Sequence, residues 1–326
     1  MRLRILHHGS CFDGASSAGV FARFFRECVA QGPAEVAFTT MDHKEAGPPI
    51  PPDFLDGDVN ACVDFRYTSD PRLHWWFDHH ASTFQSAADE AHFRADRSGQ
   101  KFYDPSAKSC TRFLARTLAE KFSFDISSLQ ELLDWAEIID GALFESAAQA
   151  VELREPALRL MTWVEANRDR ALSERFIADV VSKPLPEIVA SPYVAGPLAG
   201  LLNRHQKNIE AIRRLARLDR EVVFTDLSAE PITSVNKFIV YYLHPQARYA
   251  VTVLSPGKRM KVSVGSNPWT MADPAKMTNL AAICERYGGG GHARVGAISF
   301  PPGQAGNARE AAAEIVAELR AKNPLE

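Results

Sequence analysis

The sequence lacks paired cysteines. Its five, Cys11, Cys28, Cys62, Cys110 and Cys284, are scattered and include no Cys-x-x-Cys pair, which argues against a disulfide framework and against a structural zinc site. It also lacks any apolar run of the ~18 residues needed to span a bilayer. The start, Met1-Arg2-Leu3-Arg4-Ile5-Leu6-His7-His8, turns polar too soon for a signal peptide, so the expected location is the cytoplasm, with no membrane partner. Charge of one sign is lacking too. The 37 Lys+Arg against 40 Asp+Glu leave a net charge of −3, so a polyanion would have to meet a local basic patch. There is no internal repeat and no low-complexity segment. With 46% hydrophobic and 24% charged residues, a disordered chain, a collagen-like repeat and a supercharged nucleic-acid arm are all excluded.

What is present suits two α/β domains, each long enough to bury a core in a chain of 326 residues. Arg2–His7, Glu35–Thr40, Asn60–Phe65 and His74–Phe77 read as short apolar strands. Ser16–Ala30 reads as a helix, with Val20, Phe21, Phe24, Phe25 and Cys28 near helical spacing. Gly47–Pro52 is a Pro-rich loop. Strands alternating with helices predict a mostly parallel sheet flanked by helices and joined by right-handed crossovers. Ser109–Phe122, Ser128–Ile139 and Ala147–Asn167 read as helices. Strands return at Glu221–Thr225, Arg248–Leu254, Met260–Val264 and Gly296–Phe300, as expected of a smaller α/β domain with a mixed sheet. The expected division is a first domain over 1–190, a linker helix within 191–220 and a second domain over 221–326. The linker helix, Pro197–Arg220, carries Arg204, Lys207, Arg213, Arg214, Arg217 and Arg220 against Glu210 and Asp219. It is either a solvated connector or an electrostatic wall that draws in a phosphate-bearing ligand.

Four stretches carry the chemistry, each expected at or just after a strand end, where open α/β sheets bind ligands. They are His7-His8-Gly9-Ser10-Cys11-Phe12-Asp13-Gly14, then Asp64, then Asp78-His79-His80, and then Asp140 closing an apolar helix. Taken singly, most have a plain structural use: Asp13 or Ser16 as a helix cap, Asp64 as a turn residue, Asp140-Gly141 as a turn. The triplet is harder to explain that way, since three polar groups would each need a separate partner. An acid at a helix carboxyl end opposes the helix dipole, a penalty that a bound cation removes. Carboxylates and imidazoles without paired thiolates suit Mn²⁺ or Mg²⁺. Several shared acids suit a two-ion centre, with Asp64 the natural bridge. A fifth feature is Tyr287-Gly288-Gly289-Gly290-Gly291-His292-Ala293-Arg294. Its glycines allow close backbone approach, and His292 and Arg294 suit a phosphate or carboxylate. It is neither a Walker loop nor a dinucleotide fingerprint.

In this order the motifs resemble the DHH phosphoesterase superfamily, in its RecJ-like and oligoribonuclease-like branch. The Asp78-His79-His80 triplet matches the residues that name it. Gly289-Gly290-Gly291-His292 resembles the signature of a C-terminal DHH-associated domain. The resemblance covers essentially the whole chain. It implies two domains facing each other across a cleft, the first carrying a Mn²⁺-type centre and the second gripping the substrate. Asp64 would bridge two ions, with Mg²⁺ as the alternative metal. Asp13, His79 and Asp140 would complete one position, with His7 or His8, here His8, as a further ligand. His80 would sit beside the scissile phosphate, and Asp78 would orient the histidines. Gly290, Gly291, His292, Arg294 and Asn267 would hold the substrate. Two departures stand out: Cys11 occupies the place of the motif's first acid, and Gly265 the place of an Arg that often precedes Ser266.

The implied activity is metal-dependent hydrolysis of phosphodiester bonds in a short oligonucleotide or a linear or cyclic dinucleotide. The competing reading is a non-catalytic nucleotide or single-strand binding module derived from such an enzyme. The retained acids Asp13, Asp64 and Asp140 weigh against it, because unneeded buried charge is costly. Trp269 and Tyr287 are either core residues or stacking platforms for a base. A polyphosphatase relative would have a second domain without the Gly-Gly-Gly-His loop.

Overall fold

Three short, buried runs, Leu3–Leu6, Ala61–Val63 and Trp75–Phe77, lie side by side as neighbouring strands in the computed structural model, which describes residues 1–42, 48, 50–273 and 276–322. In chain order the elements begin β1 (Arg2–His8), α1 (Phe12–Phe24), β2 (Glu35–Met41), β3 (Val59–Val63), β4 (Trp75–Asp78), α2 (Ala87–Ala95) and β5 (Lys101–Tyr103). Seven helices follow: α3 (Cys110–Phe122), α4 (Gln130–Asp140), α5 (Ala147–Glu152), α6 (Pro156–Ala166), α7 (Arg170–Asp179), α8 (Leu185–Ala190) and α9 (Pro192–Leu215). The remainder is β6 (Arg217–Asp219), β7 (Val222–Asp226), α10 (Ile239–Leu243), β8 (Tyr249–Leu254), β9 (Met260–Ser266), α11 (Leu280–Glu285), β10 (Gly290–His292), β11 (Val295–Phe300) and α12 (Ala305–Ala321). The chain divides into two units, Met1–Phe144 with Arg154–Ala199, and Glu145–Leu153 with Gly200–Glu326.

In the first unit, all five strands pair in parallel in the order β2-β1-β3-β4-β5. The order reverses at β1, and the crevice at the carboxyl ends beside such a reversal is where these sheets bind ligands. Helix α1 locks against the sheet through Phe21 and Phe24, whose rings meet Trp75 at 5.7 and 5.6 Å. Burying each such ring is worth about 1.5–3 kcal/mol. This helix starts at Phe12, four residues before the expected Ser16, and gives way to a π-helical turn at Phe25–Val29. Gly14 belongs inside it, because a Cβ there would collide with the His8 carbonyl.

Several other elements depart from the sequence reading. The single helix expected over Ala147–Asn167 is two, because Leu153 turns left-handed at φ 50° and Pro156 opens the next helix. Strands β5, β6 and β10 are too short, and in β10 too glycine-rich, to carry a strand pattern. The helix expected over Pro197–Arg220 runs Pro192–Leu215 with Pro197 inside it. Its expected tail, Arg217–Asp219, instead pairs antiparallel with β7, and Arg220 and Glu221 make the turn at positive φ. Arg204, Lys207, Arg213 and Arg214 are exposed. Of the Pro-rich loop, Gly47 and Pro49 lie outside the described residues, and Pro52–Phe54 form a 3-10 turn.

The second unit is a six-stranded mixed sheet in the order β10-β11-β9-β8-β7-β6, with β7 and β8 parallel and the other pairs antiparallel. Val251, Val262 and Val264 pack with Leu280, Ile283, Ile315 and Leu319 from α11 and α12 to make its core. Among the described residues, no helix is long and apolar enough to cross a membrane.

Candidate metal centre

Strand register assembles the centre. His7 pairs with Val63 and Val63 with Phe77, so the next step along each strand brings His8, Asp64 and Asp78 level at the carboxyl edge. Asp64 leaves β3 in the left-handed region at φ 57°, a conformation that Asp tolerates better than most residues. Asp13 arrives from the first turn of α1, His79 and His80 follow β4, and Asp140 is the last residue of α4.

Asp13 is fixed by another helix. Its carboxylate accepts the N–H groups of Cys110 at 2.7 Å and Thr111 at 3.0 Å, which are free donors at the start of α3. It therefore serves as a cap, though for α3 and not for its own helix as expected. Nothing in the sequence around Cys110 and Thr111 signals that role.

His79 is the hub. Its Nδ1 donates to the Ala107 carbonyl at 3.0 Å, which turns Nε2 toward three acids. That nitrogen lies 3.5 Å from Asp64, 3.3 Å from Asp140 and 4.0 Å from Asp13. His8 Nδ1 is 3.5 Å from the other Asp64 oxygen. None of these contacts has hydrogen-bond geometry: both Asp64 oxygens and His79 Nε2 are buried without a hydrogen-bond partner.

The charges are correspondingly strained. Burial, then the charges of Asp64 and Asp140, push Asp13 well above the usual carboxylate range. Burial and Asp64 push Asp140 up to about 6. Burial would also raise Asp64, but His79 and His8 outweigh it and hold it at about 2. Burial opposes a charge on His79, yet Asp64 and Asp13 lift it to about 10. A buried carboxylate with both oxygens unpartnered, crowded by Asp13 and Asp140, is what a divalent cation would satisfy. The donor atoms form three groups, each within 4.8 Å: His8, Cys11 and Asp64; Asp64, His79 and His80; and Asp13, His79 and Asp140. Asp64 belongs to two of them, as a bridging acid would.

Asp78 stands behind the histidines. It is fully buried, accepting the His79 N–H at 2.9 Å and His80 Nδ1–H at 2.7 Å. Burial works against a charge on His80, but Asp78 raises its pKa above the ordinary value. Of the two candidate histidines, His8 faces the cluster. His7 is buried, donates from Nδ1 to the His8 carbonyl at 3.0 Å, and lines a cavity of about 510 Å³ with Ser10, Cys11, Thr40 and Trp163.

The other five expected residues lie in the second unit. The glycine run forms an edge hairpin, with Gly290 pairing Ala297, Gly291 pairing Gly296 and His292 pairing Val295. A Cβ at Gly289 or Gly291 would strike the backbone of β11, whereas Gly290 faces open space. Gly289 and Gly291 thus serve hairpin packing. His292 and Arg294 are exposed on this hairpin. Asn267 is buried, and its amide donates to the Pro245 and Ala247 carbonyls while its oxygen accepts the Trp269 N–H. Its side-chain polar atoms are therefore all engaged within the second unit, two of the bonds reaching the segment between α10 and β8. Tyr287 donates to Glu314 and packs on the domain core, the plainer of its two sequence readings.

No family model and no curated protein matches the chain. Solved structures do. A pGpG-specific phosphodiesterase, PggH from Vibrio cholerae, superposes at TM-score 0.69 and 19% identity, covering 98% of this chain and 99% of that one. The DHH domain of a protein described as a member of a ribosomal protein family superposes at TM-score 0.57 and 14% identity, covering 97% and 86%. Exonuclease RecJ bound to manganese superposes at TM-score 0.52 and 15% identity, covering 97% and 90%. The fold of this chain is therefore similar to the one these DHH-domain and RecJ structures share.

Proposed function

We propose that the protein is a divalent-metal-dependent phosphodiesterase that cleaves short oligonucleotides, with linear dinucleotides as the first class to test. The observation that carries the proposal is the convergence of His8, Asp13, Asp64, His79 and Asp140 from five separate elements, with both oxygens of the buried Asp64 unpartnered. PggH, similar over nearly its whole length, is described as acting on pGpG, and RecJ as an exonuclease. These descriptions belong to those proteins and support the choice of substrate class here.

Asp13, His79 and Asp140 would hold one ion and His8 with Asp64 a second, Asp64 lying between them. Such ions supply hydroxide from bound water near neutral pH and neutralise phosphoryl oxygens. The protein's own residues do the rest. Ala107 and Asp78 fix the two imidazoles, so that His79 keeps Nε2 toward the acids. His80, with Nδ1–H engaged by Asp78 on a half-buried ring, would use Nε2 toward the substrate. From there it donates a proton to the departing oxygen, as a general acid tuned by a buried carboxylate. His292 and Arg294 supply exposed donors for a substrate phosphate.

The test is hydrolysis of pGpG and of a longer single strand by metal-stripped protein, with and without added Mn²⁺. The expected result is Mn²⁺-dependent release of mononucleotides. Tight nucleotide binding with no turnover under any divalent ion would favour the binding-module reading and defeat this one.

A further inference from the structure

We propose that Cys11 is a metal ligand. With His8 and Asp64 it would make one ion position a nitrogen–sulfur–oxygen site that prefers zinc or cobalt(II) to magnesium. The proposal rests on the reading that the cluster holds divalent ions, and it assigns different chemistry to the two positions.

The ligand atoms of His8, Cys11 and Asp64 lie within 4.8 Å of one another, whereas the group of Asp13, His79 and Asp140 contains no sulfur. Cys11 is the residue preceding α1, in extended backbone (φ −129°, ψ 133°), and its side chain caps nothing. The thiols of Cys62 and Cys110, by contrast, are buried against the Phe65 and Phe77 carbonyls, and Cys28 is exposed outside every donor group among the described residues. The second observation is Asp64, which is 1% exposed and has both oxygens without a hydrogen-bond partner. A carboxylate so placed, flanked by His8 and His79 nitrogens that make no hydrogen bond to it, would be satisfied by a cation in the same group that contains Cys11.

The donor type then decides which ion. Thiolate sulfur is a soft ligand that selects zinc and later first-row metals, while carboxylate and water suit magnesium and manganese. On binding, the Cys11 S–H proton leaves to solvent, a metal–sulfur bond forms, and no electron changes hands. The Cys11 departure from an acid therefore does not empty the position: it re-specifies its metal.

The experiment uses the full chain stripped by a chelator and titrated with cobalt(II), followed by absorption. Wild type is expected to show visible ligand-field bands together with a sulfur-to-cobalt charge-transfer band in the near ultraviolet. Cys11→Ser and Cys11→Asp are expected to lose the charge-transfer band and keep the ligand-field bands. Cys28→Ser should retain both. In competition experiments, Cys11→Asp should lower the preference for zinc over manganese. The aspartate variant restores an acid of similar reach and guards against a serine variant that folds poorly, and melting curves check both. Ligand-field bands without a charge-transfer band in wild type, or a charge-transfer band that survives in Cys11→Ser, would overturn the thiolate assignment and leave the metal centre standing. No cobalt binding at all would remove the metal centre, and this proposal with it.

Discussion

Asp13 and Thr111 bind each other twice: the Thr111 N–H donates to the Asp13 carboxylate at 3.0 Å, and the Thr111 hydroxyl donates to the Asp13 carbonyl at 3.0 Å. The pair ties the first turn of α1 to the first turn of α3 and sets the direction of a proposed ligand. The Thr111 hydroxyl also meets Ser17 Oγ at 3.0 Å. Thr111→Val keeps the backbone N–H bond and removes both hydroxyl contacts. It should cost about 1–2 kcal/mol of unfolding free energy and weaken Mn²⁺ binding, read by denaturant unfolding and calorimetric titration. Unchanged stability would mean that the pair does not brace the centre.

Asp64 offers a cleaner probe of the ion than an alanine scan would. Its φ of 57° is one that Asn accepts and Ala resists. Asp64→Asn should therefore keep the metal-free melting temperature near that of wild type, while abolishing both the rise caused by added Mn²⁺ and the hydrolysis. A variant that still gains stability from Mn²⁺ would show that Asp64 is not a ligand.

If His80 protonates the leaving oxygen, its removal should hurt most where the leaving group is basic. His80→Ala should lower kcat on a dinucleotide by about 10²–10⁴-fold, and by much less on bis(p-nitrophenyl) phosphate, whose phenolate leaves unaided. Asp78→Asn, which loses the charge that supports His80 at 2.7 Å, should fall between wild type and His80→Ala. Equal losses on both substrates would exclude the leaving-group role.

His7 carries a pH signature of its own. Burial lowers its pKa from 6.5 to about 4. The unfolded chain therefore takes up this proton before the folded one does. Stability is complete above about pH 6.5, falls as the pH drops toward 4 and then levels, a span worth about 3 kcal/mol. Melting curves of His7→Gln across that range should fall less steeply than those of wild type. Parallel curves would refute the assignment.

Much of this was legible beforehand because the informative residues sit at element ends. Leu3–Leu6, Ala61–Val63 and Trp75–Phe77 are apolar enough to announce strands, and the acids and histidines that follow them stand out against those runs. Parallel pairing then makes the site nearly inevitable, since the carboxyl ends of such strands lie on one edge. The glycine run was less transparent. Gly289 and Gly291 answer to the backbone of β11, a partner several residues ahead whose approach no local pattern reveals. In the sequence Asn267 reads as a donor for the substrate, yet its bonds to Pro245 and Ala247 depend on a turn made elsewhere in the unit.

The order of residues along the chain was enough to determine which side chains are available and that they follow strands, because alternation and apolar runs are local properties. Only the folded molecule decided that His8 and not His7 faces Asp64, that Asp13 caps α3, and that Cys11 joins the donor group. Those outcomes depend on strand register and on distances between segments as many as 98 positions apart, which no short stretch of sequence encodes.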